Sequence, residues 1–192
     1  MFKTRRALAT LAITIGLVFT AAMAPAFRPQ EMPMPQKEHK EILKSVGNWE
    51  GTLTSFMPGA PSEPVAAKET VVAVGGFWTQ SRFECEFGGV PYVGTGCVGY
   101  DPAKKKYLGT WIDSMSTALA IMEGDYDPKT KLHTMRWNTI DHISGKPVPS
   151  RMEIAHQENS YTSTFYMGEG KGTKIMVISM KRKTATSKPT SR

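Results

Sequence analysis

The sequence lacks the motifs that mark several large classes of enzyme. Its four histidines show no spacing typical of a metal site, and no G-x-S-x-G elbow supports serine catalysis. A P-loop is also absent. The segment Gly94-Thr-Gly-Cys-Val-Gly99 matches G-x-G-x-x-G on paper, but it lies in a series of strands with no helix after it. The sequence therefore argues against a metal enzyme, a serine hydrolase and a nucleotide-binding fold.

Long apolar runs are confined to the N-terminus. Lys3, Arg5 and Arg6 precede an apolar run from Ala7 to Met23, and small residues follow it. This order predicts a secretory signal over 1–26, cleaved after Ala26; an uncleaved anchor is the alternative, since the run of ~17 residues is near the minimum for a membrane span. We therefore expect an exported protein, periplasmic or secreted, with no stable membrane span after cleavage.

The charge count gives no support for a basic patch on the folded body, although the net charge is +7. Of the 24 basic residues, three lie in 1–26 and five from Lys181 onward, which leaves 16 basic against 17 acidic residues between them. Nucleic-acid binding needs a basic patch on the fold, so we expect no nucleic-acid binding.

The sequence predicts a linker over 27–36, a barrel domain over 37–183 and a disordered basic tail over 184–192.

Cysteine is scarce. Cys85 and Cys97 are the two cysteines of the chain, and an even count in an exported protein suggests a disulfide. Two small buried residues in neighbouring strands are the alternative, and the sequence does not decide between them.

The remaining pattern predicts strands after one short helix. Apolar residues on one side of Lys37–Val46 indicate an amphipathic helix, with His39 on its polar face, and Gly47 ends it. Alternating residues and recurrent turn signals then mark about ten strands. They lie near 49–57, 66–74, 77–87, 93–100, 107–113, 117–124, 131–138, 149–156, 161–167 and 174–182.

Short connections between these strands demand antiparallel pairing. Asp101-Pro102 and Asp127-Pro128 place Asp and Pro as type I turns prefer, and each follows a Tyr and precedes lysines. Because closure removes exposed strand edges, the sequence predicts an all-β, antiparallel up-and-down barrel of about ten strands.

The segment Gly47-Asn48-Trp49 resembles the G-x-W of calycins, the lipocalins and their relatives. In those proteins the Trp seals one end of the barrel and an Arg of the last strand packs across it. Arg182 stands at the end of the last predicted strand. The resemblance implies a structural contact between Trp49 and Arg182, of the cation–π kind.

A wider resemblance covers roughly residues 38–182. Its motifs include, in order, His39-Lys-Glu-Ile-Leu43, Gly75-Gly-Phe-Trp78, Gly99-Tyr-Asp101, Trp111-Ile-Asp-Ser-Met-Ser-Thr117, Glu123-Gly124-Asp-Tyr-Asp127 and Met180-Lys-Arg182. The order is similar to that of the bacterial domain-of-unknown-function family 1579. The resemblance implies a calycin-like barrel and no activity.

Two polar residues are candidates for chemistry. Asp113 shares a strand face with Trp111 and Met115, so it is either a lumen carboxylate that acts as an acid–base group or a ligand anchor, or a cap for the amides of 114–117, which we favour. His133 shares a face with Met135 and Trp137; a haem ligand in a lumen is one interpretation, and a strand or surface histidine is the one we favour.

Aromatic and methionine side chains predict an apolar lumen. The candidates are Trp78, Phe83, Phe87, Tyr92, Trp111, Trp137, Phe165 and Met167. They would line a site for a small apolar ligand or fill a barrel without a cavity.

Three functions are compatible with these features. We favour a carrier of a small apolar or amphipathic molecule, with Trp111, Asp113, Met115, His133, Trp137 and Phe83 as candidate ligand-binding residues. The alternatives are a filled, non-catalytic domain of the cell envelope and an enzyme that uses Asp113. We expect no resident cofactor or metal.

Overall fold

The computed structural model describes residues 32–60, 63–140 and 145–184. The predicted signal peptide, the first half of the predicted linker, His142 and nearly all of the predicted tail lie outside these residues. The fold belongs to the compact unit that begins at Met34.

One short helix precedes ten strands. The helix α1 spans Lys37–Leu43. The strands are β1 Gly47–Ser55, β2 Val65–Val74, β3 Trp78–Phe87, β4 Val90–Asp101, β5 Lys106–Asp113, β6 Ala120–Asp127, β7 Leu132–Ile140, β8 Pro147–His156, β9 Ser160–Met167 and β10 Thr173–Arg182.

The strands close into a barrel in which every neighbour is antiparallel. Consecutive strands pair with each other, and β1 closes the barrel by pairing with β10 from Trp49↔Arg182 to Ser55↔Met176. Closure leaves none of the ten described strands with an unpaired edge. The predicted fold, an up-and-down barrel of about ten strands with a short N-terminal helix, is confirmed. None of the described helical segments is long and apolar enough to cross a membrane.

Pairing register fixes which side chains enter the barrel, because directly opposite residues of antiparallel strands share a face. On β1, Trp49, Leu53 and Ser55 are buried while the residues between them are more exposed.

The two ends of the barrel are named by their position relative to α1. The end where β1 begins and β10 finishes is called the helix end, since α1 leads into it; the opposite end is called the far end.

The helix is shorter than the sequence predicted, and its polar face is not fully exposed. It ends at Leu43, and Lys44 and Ser45 form a turn before β1. His39 is 2% exposed, so its predicted place on a solvated face is wrong. Its ring packs edge-on against Phe77 and Tyr100, 5.2 and 5.7 Å between centroids, because the face that carries it lies against β3 and β4.

The predicted hairpin tips at Asp101 and Asp127 are present. The Asp101 carboxylate accepts the amides of Ala103 and Lys104, and Asp127 accepts the amide of Lys129. Each tip then has a lysine with positive φ, 55° at Lys105 and 58° at Lys131. Both tips carry the same turn chemistry, as the repeated sequence predicted.

The interior contains two apolar clusters. The first comprises Trp49, Leu53, Ala67, Val71, Phe83, Ile178 and Met180. The second comprises Ile42, Tyr107, Met122 and Met135, and joins α1 to the barrel. Trp111 packs against both, so it lies between them.

The structure does not contain the disulfide that the sequence left open. Cys85 and Cys97 are free thiols. In the β3–β4 register Cys85 opposes Tyr92 and Cys97 opposes Gln80, which separates them by five positions, or about 17 Å along the strands. Cys85 shares the inner face of Phe83, whereas Cys97 is on the outer face. A disulfide needs Cα atoms within about 7 Å, so this register forbids it.

Candidate functional site

Trp111 lies across the inside of the barrel because two glycines leave room for its ring. A Cβ on Gly94 would stand 2.1 Å from this ring, and one on Gly96 would stand 2.7 Å from it. The indole N–H donates to the hydroxyl oxygen of Tyr92 at 3.2 Å. The glycines of β4, which the sequence interpreted as bend points, therefore provide space for an inward tryptophan.

Trp137 also points inward. Its ring centroid is 6.4 Å from that of Phe165 on β9, in an edge-on contact. The indole N–H donates to the Thr139 hydroxyl at 3.0 Å, so its polar atom has a partner within its own strand. Trp137 and Phe165 are both only half-buried, although the register turns them inward.

Strand β8 continues this half-buried inner surface. Met152 and Ile154 oppose Met135 and His133 across the β7–β8 ladder and so face inward. Neither is fully buried, in contrast to the inner residues of β1. This part of the barrel therefore has inward apolar side chains with surface still free for contact.

Two residues that were predicted to line the lumen have no inward surface free for contact. Phe83 points inward, but it is 3% exposed, packs in the first cluster and contacts Tyr92 edge-on at 6.2 Å. Trp78 is on the outer face, 39% exposed, with its ring where a Cβ of Gly99 would be. Its predicted inward orientation is wrong, because strand parity groups it with Gln80 and Arg82 rather than with Phe83.

Asp113 ends β5 at the far end of the barrel. Its carboxylate accepts the backbone amide of Met115 at 2.9 Å, which is the capping role that the sequence favoured. Asp113 also lies close enough to Tyr92 to contribute, after burial, to raising the pKa of that phenol to about 12. Met115 is 46% exposed and lies beyond the strand, so the structure does not bring it into the lumen with Trp111.

His133 faces inward at the helix end, where it meets three other rings. Its centroid is 4.8 Å from that of Tyr107, 4.5 Å from Tyr126 and 5.7 Å from His156. Burial, followed by the nearby His156, lowers the pKa of His133 to about 4. Burial also lowers the pKa of His156, even though this residue retains exposed surface at the end of β8. Both imidazoles are therefore neutral at pH 7.

A half-buried carboxylate beside a phenol was missed at the sequence level. The Tyr161 hydroxyl donates a hydrogen bond to Glu69, and Glu69 and Tyr161 oppose inner residues Trp49 and Met180. Burial raises the pKa of Glu69, whereas the hydrogen bond from Tyr161 opposes this effect. The signal was present in β2, where Glu69 shares strand parity with Ala67 and Val71.

His156 was also overlooked as a partner for His133. It shares parity with Met152 and Ile154 on β8, so alternation alone turns it inward. Its ring lies 5.8 Å from that of Tyr161. The contacts therefore run without a break from Tyr161 through His156 to His133.

The helix end is closed by the contact that the G-x-W motif implied. Arg182 Cζ lies 4.2 Å from the ring centroid of Trp49, and the same guanidinium donates to the carbonyls of Val46 and Lys44 at 2.6 and 2.7 Å. Gly47 has φ of 148°, and a Cβ there would lie 2.3 Å from Arg182 Nη1. The motif thus needs both its glycine and its tryptophan.

Among the described residues, no group of three or more His, Cys, Asp or Glu side chains is arranged to hold a metal ion. The described interior side chains can make apolar contacts with a ligand, and the two imidazoles and the Glu69–Tyr161 pair can form hydrogen bonds.

Comparison with solved structures finds barrels of similar fold at low identity. Rv2717c from M. tuberculosis is similar with a TM-score of 0.59 and 11% identity, over 79% of this chain and 100% of that one. The S-type phycobiliprotein lyase CPES from Guillardia theta is similar with a TM-score of 0.53 and 14% identity, over the same shares. At such identities the similarity shows the fold alone. No curated protein matches the sequence.

The family model gives the more specific result. The model described as "Protein of unknown function (DUF1579)" matches residues 34–182, which include α1, all ten strands and the Trp49–Arg182 contact. This chain belongs to that family.

Proposed function

We propose that this protein, exported from the cell, binds a small apolar or amphipathic molecule inside its barrel. The observation that carries the proposal is the half-buried state of inward apolar residues. Trp111, Trp137, Met152 and Phe165 face the interior, yet none is fully buried. Filled cores leave few voids larger than a water molecule, so such surface supports a lumen with room for a ligand.

The glycines of β4 give further support. A side chain at Gly94 or Gly96 would collide with the Trp111 ring, so these positions favour a flat aromatic wall. Aromatic and apolar walls with a few placed polar groups are typical of small-molecule sites. The Asp113 carboxylate is occupied by the Met115 amide, which favours binding over an acid–base reaction at that residue.

A titration with the uncharged fluorophore N-phenyl-1-naphthylamine tests this proposal. We expect saturable binding with energy transfer from tryptophan. Trp137→Ala removes an inward wall and should raise the Kd about tenfold, equivalent to 1.4 kcal/mol.

Trp78→Ala is the matched control, because Trp78 lies on the outer face with 39% of its surface exposed, and we expect its Kd to stay within about twofold of the wild type. If the fluorophore does not saturate, or if both variants weaken binding equally, the lumen is not the site. The filled, non-catalytic envelope domain would then be the better explanation.

A further inference from the structure

The helix end of the barrel presents two imidazoles to the interior. Tyr126↔His133 and His156↔Tyr161 are opposed pairs in the ladders of β6–β7 and β8–β9. The two imidazole centroids are 5.7 Å apart, with their planes at 89°. Within the described part of the chain, these two side chains make ring contacts and no hydrogen bond. Their nitrogens are therefore available to hydrogen-bond a ligand.

The groups that face this pair supply little charge. Tyr107 on β5, Tyr126 on β6 and Tyr161 on β9 present phenol rings. The acidic group that acts on both imidazoles is Glu41 of α1, and Lys44 Nζ lies 2.7 Å from both of its carboxylate oxygens.

The nearby Glu69 carboxylate is covered by the Tyr161 hydroxyl. Within the described ranges, no arginine or lysine is among the groups that shift the pKa of either histidine. A ligand head at the pair would therefore meet neutral imidazoles, phenol rings and carboxylates that already have partners.

An inward apolar path leads from this pair toward the middle of the barrel. His156, Ile154 and Met152 follow each other on the inner face of β8, and Phe165 opposes Met152 across the next ladder. None of these four residues is fully buried. A polar head at the imidazoles would thus be continuous with an apolar surface for its chain.

We propose that His133 and His156 together bind the uncharged, hydrogen-bonding head of an amphipathic ligand, such as the hydroxyl of a long-chain alcohol, with the chain along β8 and β9. This inference rests on the proposed lumen function and names the ligand class. A neutral imidazole has one donor and one acceptor nitrogen, so two of them match a hydroxyl, which also donates and accepts.

A charged head fits this position poorly. Moving an ion from water into an apolar site is costly unless a counter-charge receives it. A carboxylate would find no cation among the described groups that act on the pair and would have Glu41 nearby. An ammonium group would find Glu41 already paired with Lys44.

Displacement of N-phenyl-1-naphthylamine at pH 7.5 tests the inference on the wild-type protein. The competitors are dodecanol, dodecyl methyl ether, dodecanoate and dodecylammonium. The ether has a similar chain but cannot donate a hydrogen bond, so we expect dodecanol to compete about tenfold better, as one buried hydrogen bond would give. Dodecanoate and dodecylammonium should compete less well than dodecanol.

The variants His133→Phe and His156→Phe then locate the head. Each keeps an aromatic ring in place, and each should reduce the preference for dodecanol over the ether to within about twofold. The preference is a ratio measured within each variant, so a change in that variant's affinity for the fluorophore does not affect it, and a cooperative thermal melt serves as the control for folding. His156 lies at an exposed strand end, so its variant stays informative if His133→Phe folds poorly.

The outcomes separate the two proposals. If the fluorophore does not bind the wild type, the lumen function fails and this inference fails with it. If it binds but a charged competitor is the strongest, or if both variants keep the full preference for dodecanol, the lumen function survives and the assignment of the imidazole pair is overturned.

Discussion

At the residue scale, the hydrogen bond between Tyr161 and Glu69 has a measurable energetic role. Tyr161→Phe removes the donor and leaves a half-buried carboxylate without it, which should lower the free energy of unfolding by about 1–3 kcal/mol. Urea denaturation at pH 8 measures this. A Tyr161→Phe variant as stable as the wild type would contradict this role.

Glu69→Gln, unlike Tyr161→Phe, should not lower the free energy of unfolding at pH 8. Because burial raises the pKa of Glu69, the folded state keeps this proton to higher pH than the unfolded chain. Stability is therefore lost as pH rises through the folded pKa. Glutamine retains an acceptor oxygen and does not ionise, so the variant should be at least as stable as the wild type at pH 8. A clear loss of stability at pH 8 would show that the ionised carboxylate is itself stabilising.

His133 should make the fold sensitive to mild acid. Its pKa is lowered to about 4 from an ordinary value of 6.5, so between these values the unfolded chain binds more protons than the folded one. The free energy of unfolding then falls as pH decreases through this window, by up to about 3 kcal/mol. His156 acts in the same sense, whereas the raised pKa of Glu69 acts in the opposite sense.

Comparison with His133→Phe isolates that contribution. We expect the wild type to lose more stability than the variant when thermal melts at pH 7 and pH 4.5 are compared. Equal losses in the two proteins would contradict the neutral state assigned to His133.

Strand parity explains which residues the sequence could predict. Trp111 and Trp137 were predicted to line the lumen, and strand parity does turn both inward. For His133 the sequence favoured a strand or surface histidine over one in the lumen, whereas the structure turns it inward beside Tyr107. The prediction for Trp78 was wrong because a large aromatic residue was assumed to be internal. The outward-facing Gly99 leaves room for its ring on the outer surface instead. Asp113 was predicted as a cap in preference to a lumen carboxylate, but sequence does not show which amide a strand-end carboxylate accepts.

At the element scale, the glycines of β4 are required for clearance. Gly96→Ala would place a Cβ 2.3 Å from the carbonyl oxygen of Thr110 and 2.7 Å from the ring of Trp111. Because one of these atoms is backbone, the strands must separate, and we expect a loss of about 2–3 kcal/mol in denaturant unfolding.

Gly109→Ala on the neighbouring strand is the control. Its Cβ would meet the terminal methyl groups of Met122 and Met135 at 3.3 Å, and flexible methionine ends can move. A loss below about 1 kcal/mol is expected there. If both variants lose the same stability, close approach at β4 is not the constraint.

The elements themselves were largely predictable, and their boundaries less so. All ten strands occur where alternation and turn signals predicted them. The strand predicted from residue 117 begins at Ala120, since Asp113 and Ser116 hold the preceding turn by hydrogen bonds to Met115 and Ala118. Turn stabilisation of this kind depends on side-chain geometry that periodicity does not encode.

At the scale of the whole molecule, Trp49 and Arg182 join the first and last strands and the end of α1. Trp49 is 2% exposed, and its indole N–H donates to the carbonyl of Ser45 at 2.9 Å. Trp49→Ala should lower the free energy of unfolding by about 3–5 kcal/mol, the usual cost of such a cavity. A melting scan in which Trp49→Ala is neutral would contradict the role of this contact in closing the barrel.

Closure of the barrel was predictable from the number of strands and the short turns, whereas the state of its interior was not. Whether inward side chains fill a barrel or line a lumen depends on how their volumes fit together. That fit is set by contacts between distant strands, such as Trp137 with Phe165 and His133 with His156, which alternation within one strand does not reveal.

The most direct test of the lumen function is native mass spectrometry of the mature protein, purified gently from its own host. We predict a bound molecule of low mass that leaves on denaturation, and that is lost or reduced in Trp137→Ala but retained in Trp78→Ala. A haem mass would assign His133 a role other than binding an uncharged ligand head. A protein that carries no small molecule from its host, and takes up neither the fluorophore nor dodecanol when they are added, would contradict the central claim.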